Sequence, residues 1–498
     1  MLSSEGQLFQ HPFQLVIGGG KRGFVRSLLL GAIFLYILLL WAIGWVASKR
    51  SKGSESYLVA DRRFSTPFVS ALVAGTWIGG VSVVGMAQGA FLHGISAISF
   101  QRGIWVAMCF TAAFLPKIIV AKKTYSILDV VTQYYDHRTA NLAGLFQLVF
   151  SVWVVTMQIV GGGAILSFIL KDTITFAQGM LLTALVFCLY VLLGGVVATA
   201  YTNLVHLVTI FLGIMAGGLF LLYEAGGIAE MKSSLPAFYF EPLGDLGLFT
   251  FLSWFFVNLT LGVLAQPVIN AAASAKDLHH GRRGILIGNL LAIPVPLLAA
   301  LCGILARVRY PEVASVRALP VLLGDLPPFL AVLFLLGMWA PLMSSGSPFL
   351  MGATTIAIRG YVVKWFPHLK DKGLLIASRA VTLSITGLAL LLGFFVVEIL
   401  RNVTEIAVLL SSVVILVLLG GLIKHSSKLG GFLSLLASGV LLTLFISAGW
   451  SKRVHPFWVV APATFILISL STWMEYRKRE SMTRRNSLLS ENRRDRTS

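Results

Sequence analysis

The chain has 498 residues, of which 57% are hydrophobic and only 12% charged, about half the ~25% of soluble proteins. So apolar a chain cannot cover its own surface in water. That excludes a multidomain soluble protein, a disordered chain, a collagen-like fibre and a disulfide-stapled module. The net charge of +19 is spread between and after the apolar runs, which argues for a membrane protein and against a nucleic-acid partner.

A helix crosses a bilayer with about 20 apolar residues. The pattern predicts an all-α polytopic membrane protein with about thirteen such helices. An N-terminal segment, 1–26, precedes the first span, 27–47, which Ser-Lys-Arg-Ser-Lys follows in place of a small-residue cleavage site. The next spans are expected at 67–92, 96–119, 140–170, 175–195, 198–224, 247–275 and 284–308. The last five are expected at 328–358, 374–400, 402–423, 429–449 and 455–476. The tail, 477–498, mixes Arg with Ser, Asn and Glu and reads as a disordered basic segment. Lys and Arg number about 26 in one set of alternate loops with the tail, and about 12 in the other. This bias places the N-terminus outside and the C-terminus in the cytoplasm of a multi-pass plasma-membrane protein. No loop has room for a catalytic domain, so no enzyme activity is expected. Cys109, Cys188 and Cys302 each lie in an apolar run and read as small buried hydrophobes.

Broken helix backbone is tolerated in a membrane only where it is buried or lines a cavity, so interrupted spans point to a site. The second span contains Gly75-Thr76-Trp77-Ile78-Gly79-Gly80, whose glycines weaken the helix and free carbonyls. The seventh contains Asn258 and then Gln266-Pro267, and begins five spans later, as a five-plus-five inverted repeat requires. The ninth contains Pro341-Leu342-Met343-Ser344-Ser345-Gly346-Ser347-Pro348. Hydroxyl and freed carbonyl oxygens suit a hard cation such as Na⁺, or serve only to bond a kinked helix.

These residues resemble the sodium/solute symporter family, which includes proline, pantothenate, sugar and choline transporters. The resemblance runs from Tyr57-Leu58-Val59-Ala60 to about Gly431. It is carried by Thr76-Trp77-Ile78-Gly79-Gly80, Leu193-Gly194-Gly195 with Tyr201-Thr202-Asn203, Gln266-Pro267, and Met343-Ser344-Ser345. It implies a ten-helix inverted-repeat transport core over 67–423, with broken first and sixth core helices. One extra helix (27–47) would precede the core and two accessory helices (429–476) would follow. It further implies Na⁺ as coupling ion, held by the carbonyls of Gly75, Ile78 and Pro341 and the hydroxyls of Ser344 and Ser345. Substrate would lie among Trp77, Gln101, Trp153, Gln158, Trp254 and Asn258. Trp77 in the break could attract an organic cation through its ring face.

The implied function is Na⁺-coupled symport of a small organic solute by alternating access, in a monomer or homo-oligomer within the lipid bilayer. Departures from the family pattern leave alternatives open. Asn203 and Ser347 stand where many members carry Asp, and His206 where many carry Gln. A Na⁺-independent or H⁺-coupled transporter, or a transporter-derived solute sensor, fits the same residues. For proton coupling, Glu398, Glu405 and Asp129 are expected near span ends, and His206 near a cytoplasmic end.

Overall fold

A computed structural model describes residues 19–170, 173–395, 399–423 and 426–494. Most of the predicted segment 1–26 and Glu398 lie outside them. The described residues are helical throughout, with no strand beyond one isolated bridge between Phe64 and Ala275.

The chain opens with α1 (Gly19–Ser48) and the short α2 (Ser54–Val59). Next come α3 (Thr66–Trp77) and α4 (Met86–His93), two halves of one interrupted helix, joined through a π-helical turn at Val81–Gly85. Then follow α5 (Ser99–Lys122), the one-turn α6 (Ile127–Val131), α7 (His137–Ile169), α8 (Phe176–Ile210) and α9 (Ala216–Glu224). After α10 (Gly227–Ser234), a second interrupted helix appears as α11 (Gly247–Leu264) and α12 (Gln266–Ser274). It leads to α13 (Leu278–Leu291), α14 (Pro294–Arg309), the short α15 (Ala318–Val321) and α16 (Pro328–Thr355), extended by a π-helical stretch and α17 (Val363–Trp365). The chain ends with α18 (Asp371–Gly393), α19 (Ile399–Leu422), α20 (Lys428–Ser447) and α21 (Phe457–Arg494).

Eleven helical stretches among the described residues are long and apolar enough to cross a membrane, where the sequence predicts about thirteen. The difference has two sources. The predicted span 67–92 is split at Ile78–Gly80, leaving α3 too short to count alone. The spans predicted at 175–195 and 198–224 run on as one 49-residue stretch, Phe176–Glu224. A straight rod of that length would reach about 74 Å at ~1.5 Å per residue, over twice the ~30 Å hydrocarbon core. Gly195 kinks it, with φ 58 and ψ −136. A Cβ there would lie 2.3 Å from the Tyr57 carbonyl oxygen, so both dihedral and space demand glycine.

α16 is the central element. From Gly337 to Thr355 every residue is buried, and it packs on α3, α7 and α8. The cytoplasmic ends predicted for the two interrupted helices meet through the backbone. The Phe64 amide donates to the Ser274 carbonyl (2.8 Å) and the Lys276 amide to the Phe64 carbonyl (3.0 Å). The tail is helical, not disordered, as far as Arg494. It holds no Gly or Pro after Arg477, so nothing in it stops the helix. Cys188 and Cys302 are buried as expected, but Cys109 is exposed.

Candidate functional site

The break in the first interrupted helix starts at Ile78, whose φ of −92 and ψ of 76 leave the helical range. The glycines flanking it allow α8 and α16 to press against it. A Cβ on Gly75 would collide with the Asn203 amide (2.2 Å), and one on Gly79 with the Ser345 hydroxyl (2.6 Å). The last carbonyls of α3 therefore face α16 at close range, and the negative end of the half-helix dipole lies there too.

Three of the five expected cation ligands form one cluster. The Ser344 hydroxyl donates to the Ile78 carbonyl (3.0 Å) and the Pro341 carbonyl (3.1 Å). Ser345 turns one residue away from this cluster and donates to the Thr76 carbonyl (2.9 Å). Gly75 stands beside the Ser344 carbonyl, 3.1 Å from where its Cβ would be. Oxygens alone, with two carbonyls from facing helices, make a donor set suited to a hard cation. The single Ser344 proton now holds the three oxygens together, and a cation there would require that hydroxyl to rotate and offer its lone pairs.

Asn203 explains how α16 keeps its shape. Pro348 has no N–H, so the Ser344 carbonyl lacks its usual helical donor four residues on. The Asn203 Nδ2 supplies one, donating to the Ser344 carbonyl (3.2 Å) and to the Ala71 carbonyl of α3 (3.3 Å). An aspartate could not donate there. With its nitrogen facing two carbonyls, the amide cannot flip, and its buried Oδ1 has no partner. Ser347, the other departure, donates to the Met343 carbonyl (2.9 Å).

Beside this cluster lies a small cavity of about 40 Å³. Four of the six expected substrate residues line it: Trp77, Gln101, Gln158 and Asn258. Trp153 and Trp254 do not. Trp153 packs against the core, and Trp254 stacks edge-on against Phe100 at 6.5 Å. Ser345 and Thr76 also reach the cavity, joining it to the oxygen cluster. Phe100, Phe150 and Phe349 complete an aromatic wall, and among the described residues no charged side chain lines it. Sequence reasoning missed these phenylalanines because single aromatics in apolar spans look like any packing residue. Thr76 was legible, since it sits inside the quoted break.

The polar edges of the cavity have fixed directions. Asn258 Nδ2 donates to the Trp254 carbonyl (2.9 Å) and Gln101 Nε2 to the Trp77 carbonyl (3.5 Å). Flipping either amide would set oxygen against oxygen, so both side-chain oxygens stay acceptors. Both are buried without a partner. The amides in the break are already used: Ser82 Oγ accepts from Gly79 (2.8 Å) and Gln158 Oε1 from Gly80 (2.8 Å).

The family model of the sodium:solute symporter family matches residues 57–438. The chain belongs to that family. The symporter is 24% identical over 378 residues to the sodium/pantothenate symporter of Haemophilus influenzae, covering 72% of this chain and 75% of that one. It is 24% identical over 391 residues to the osmoregulated proline transporter OpuE of Bacillus subtilis, covering 73% and 76%. A solved Na⁺-coupled sialic acid symporter aligns with a TM-score of 0.79 at 15% identity, over 90% of this chain and 97% of that one. The fold is thus the five-plus-five inverted repeat, with α3–α4 and α11–α12 as its broken first and sixth core helices. Its function is that of the family: secondary transport of a small organic solute with Na⁺.

Burial bears on two further residues. His206 is buried, in a packing role rather than a solvated one. It shares a 2.6 Å hydrogen bond with the Tyr36 hydroxyl of α1 and lies 3.5 Å from the Tyr190 hydroxyl, which donates to the Met343 carbonyl (3.1 Å). Glu405 is buried too, with 6% exposure, two residues past the cavity-lining Val403.

Proposed function

We propose that Na⁺ binds between α3 and α16, on the carbonyls of Gly75, Ile78 and Pro341 and the hydroxyls of Ser344 and Ser345. The solute is a small protonated amine held in the adjoining cavity. One observation carries the choice of solute: an uncharged aromatic pocket holding two buried amide oxygens fixed as acceptors, with its backbone donors already taken. A protonated amine satisfies both oxygens and gains cation–π attraction from the aromatic wall, about 2 kcal/mol when desolvated. A quaternary amine has no N–H for them, and a carboxylate would meet those two oxygens with the Gln158 Nε2 as the side-chain donor opposing them. Ser345, which lines the cavity and is next to Ser344 in the chain, is the point where solute and Na⁺ would meet. The alternate-loop charge bias supports an N-out, C-in orientation in the plasma membrane.

Uptake into liposomes of matched primary, tertiary and quaternary amines, a neutral isostere and a carboxylate, each with a Na⁺ or K⁺ gradient, tests this. Na⁺-driven uptake is expected for the protonated amines. Trp77→Ala should weaken their binding more than tenfold, about 1.4 kcal/mol, and Trp77→Phe less. Equal uptake in Na⁺ and K⁺, or preference for the carboxylate, overturns the reading. The buried Glu405 of α19 favours a second reading, proton coupling. In that case uptake follows an inward proton gradient and is indifferent to Na⁺.

A further inference from the structure

A large polar cavity lies away from the transport site, where α1, the α2–α3 link and the kink of α8 converge. Its volume is about 630 Å³ and it is lined by Lys49, Arg50, Lys52 and Arg63, with Asp61 as its one acidic side chain among the described residues. None of the four basic groups is ion-paired among the described residues. Arg50 donates to the Tyr201 hydroxyl, a neutral partner that leaves its charge uncompensated. Lys49 Nζ lies 3.7 Å from the ring centre of Trp45, which is exposed. Four cations gathered around one recess repel each other unless an anion joins them.

A second recess adjoins it. An apolar groove of about 250 Å³ runs along α1 over Ala42, Ile43, Val46 and Ala47, and ends on Arg50 and Tyr201. Those two residues line both spaces. An apolar groove on the membrane face of a spanning helix, opening at its end into a basic recess, has the polarity of one kind of molecule. Hydrocarbon fits the first part and an anionic headgroup the second.

We propose that the recess binds the headgroup of an anionic phospholipid, whose chains lie in the groove along α1. This rests on the orientation proposed above, which puts this end of α1 at the cytoplasmic leaflet, where anionic lipids concentrate. The headgroup would join Lys49, Arg50 and Lys52, at the end of α1, to Arg63, at the foot of the broken helix. Between them lies a strained link: Ala60, Asp61 and Arg62 take φ values of 51, 48 and 55, a left-handed run that residues other than glycine rarely adopt. The lipid would thus brace the segment from which α3 springs, and transport would depend on the leaflet's composition.

The test is native mass spectrometry of the delipidated full-length protein, titrated with phosphatidylglycerol or phosphatidylcholine. It reads binding directly and does not depend on orientation or on the identity of the solute. One phosphatidylglycerol is expected to bind at least tenfold more tightly than phosphatidylcholine. Neutralising the recess (Lys49→Gln, Arg50→Gln, Lys52→Gln, Arg63→Gln) should abolish that preference. A control that removes four exposed charges elsewhere (Lys117→Gln, Lys123→Gln, Lys370→Gln, Lys372→Gln) should change it less than twofold. Should the recess variant not fold, Ala42→Phe with Val46→Trp fills the groove and leaves every charge in place. That variant should lose phosphatidylglycerol by at least fivefold. Equal loss in the control, full retention in the groove variant, or displacement of the lipid by equimolar glycerol phosphate would each overturn the proposal; the last would mark a site for free anions.

Discussion

At the scale of single residues, the candidate cation site is a matter of where protons point. Ser344 holds two carbonyls from opposite helices with one proton. Ser344→Ala leaves the carbonyls but removes the oxygen between them. It should raise the Na⁺ concentration for half-maximal uptake at least tenfold, with a smaller fall in maximal rate. Ser345→Ala should do the same and also weaken solute, because Ser345 lines the cavity. Normal Na⁺ dependence in the double variant would remove both from the site. Asn203 and Pro348 give a second prediction. The asparagine amide donates to the carbonyl that the proline leaves unpaired, so the two should not act independently. Asn203→Leu strands a buried carbonyl, at a cost of about 1–3 kcal/mol. In a Pro348→Ala background, where the backbone donor returns, the same change should cost at least about 1 kcal/mol less. Additive melting shifts in the cycle would refute the compensation.

At the scale of helices, periodicity and length made the elements legible, but not their joints. Span ends followed from apolar runs, and the breaks at Ile78 and before Gln266 from glycine and proline. The position of Gly195 was readable as the end of the span 175–195, but not that the helix kinks there and runs on, because no polar loop separates its two sides. Sequence also gave no sign that α1 joins the core through a buried polar chain, since Tyr36 lies on α1 while Tyr190 and His206 lie far along the chain, on either side of the Gly195 kink in α8. Trp153 and Trp254 were misplaced for a related reason: residue type marks a candidate, but only packing decides which face it takes. Gly195→Ala meets both a positive φ and the Tyr57 carbonyl. It should destabilise the protein by more than about 2 kcal/mol, read as a lower melting temperature and less monodisperse protein. Tyr36→Phe removes one buried hydrogen bond to His206. It should cost about 1–2 kcal/mol and leave the Na⁺ dependence of uptake unchanged. A shifted Na⁺ dependence would mean that α1 takes part in coupling.

At the scale of the molecule, alternating access needs one side to open while the other is shut. On the side predicted to be cytoplasmic, Glu55 gathers the closing contacts. Its carboxylate meets Arg62 (3.5 Å) and Arg359 (2.9 Å) and accepts from the Tyr125 hydroxyl at 2.7 Å. Burial first, then the Glu55 carboxylate, hold that phenol above its ordinary pKa, which extends its role as a donor further into alkaline pH. Glu55→Gln leaves two guanidinium groups without their shared anion. It should favour the inward-open state and raise the labelling rate of a cysteine at Ser274 at least threefold, in a Cys-free background. An unchanged rate would place the closure elsewhere.

That closure has a second component of a different kind. Phe64 joins Ser274 and Lys276 through peptide groups alone, and peptide groups are the one part of a chain that ordinary substitution does not alter. Mutation can weaken the acidic clasp at Glu55 by degrees, but the Phe64 tie stays nearly constant whatever side chains surround it. The resting preference between the two faces of this transporter therefore has a fixed contribution and an adjustable one. Relatives that differ in how readily they open inward should differ around Glu55, Arg62 and Arg359, and hardly at all in the two peptide bonds beside Phe64.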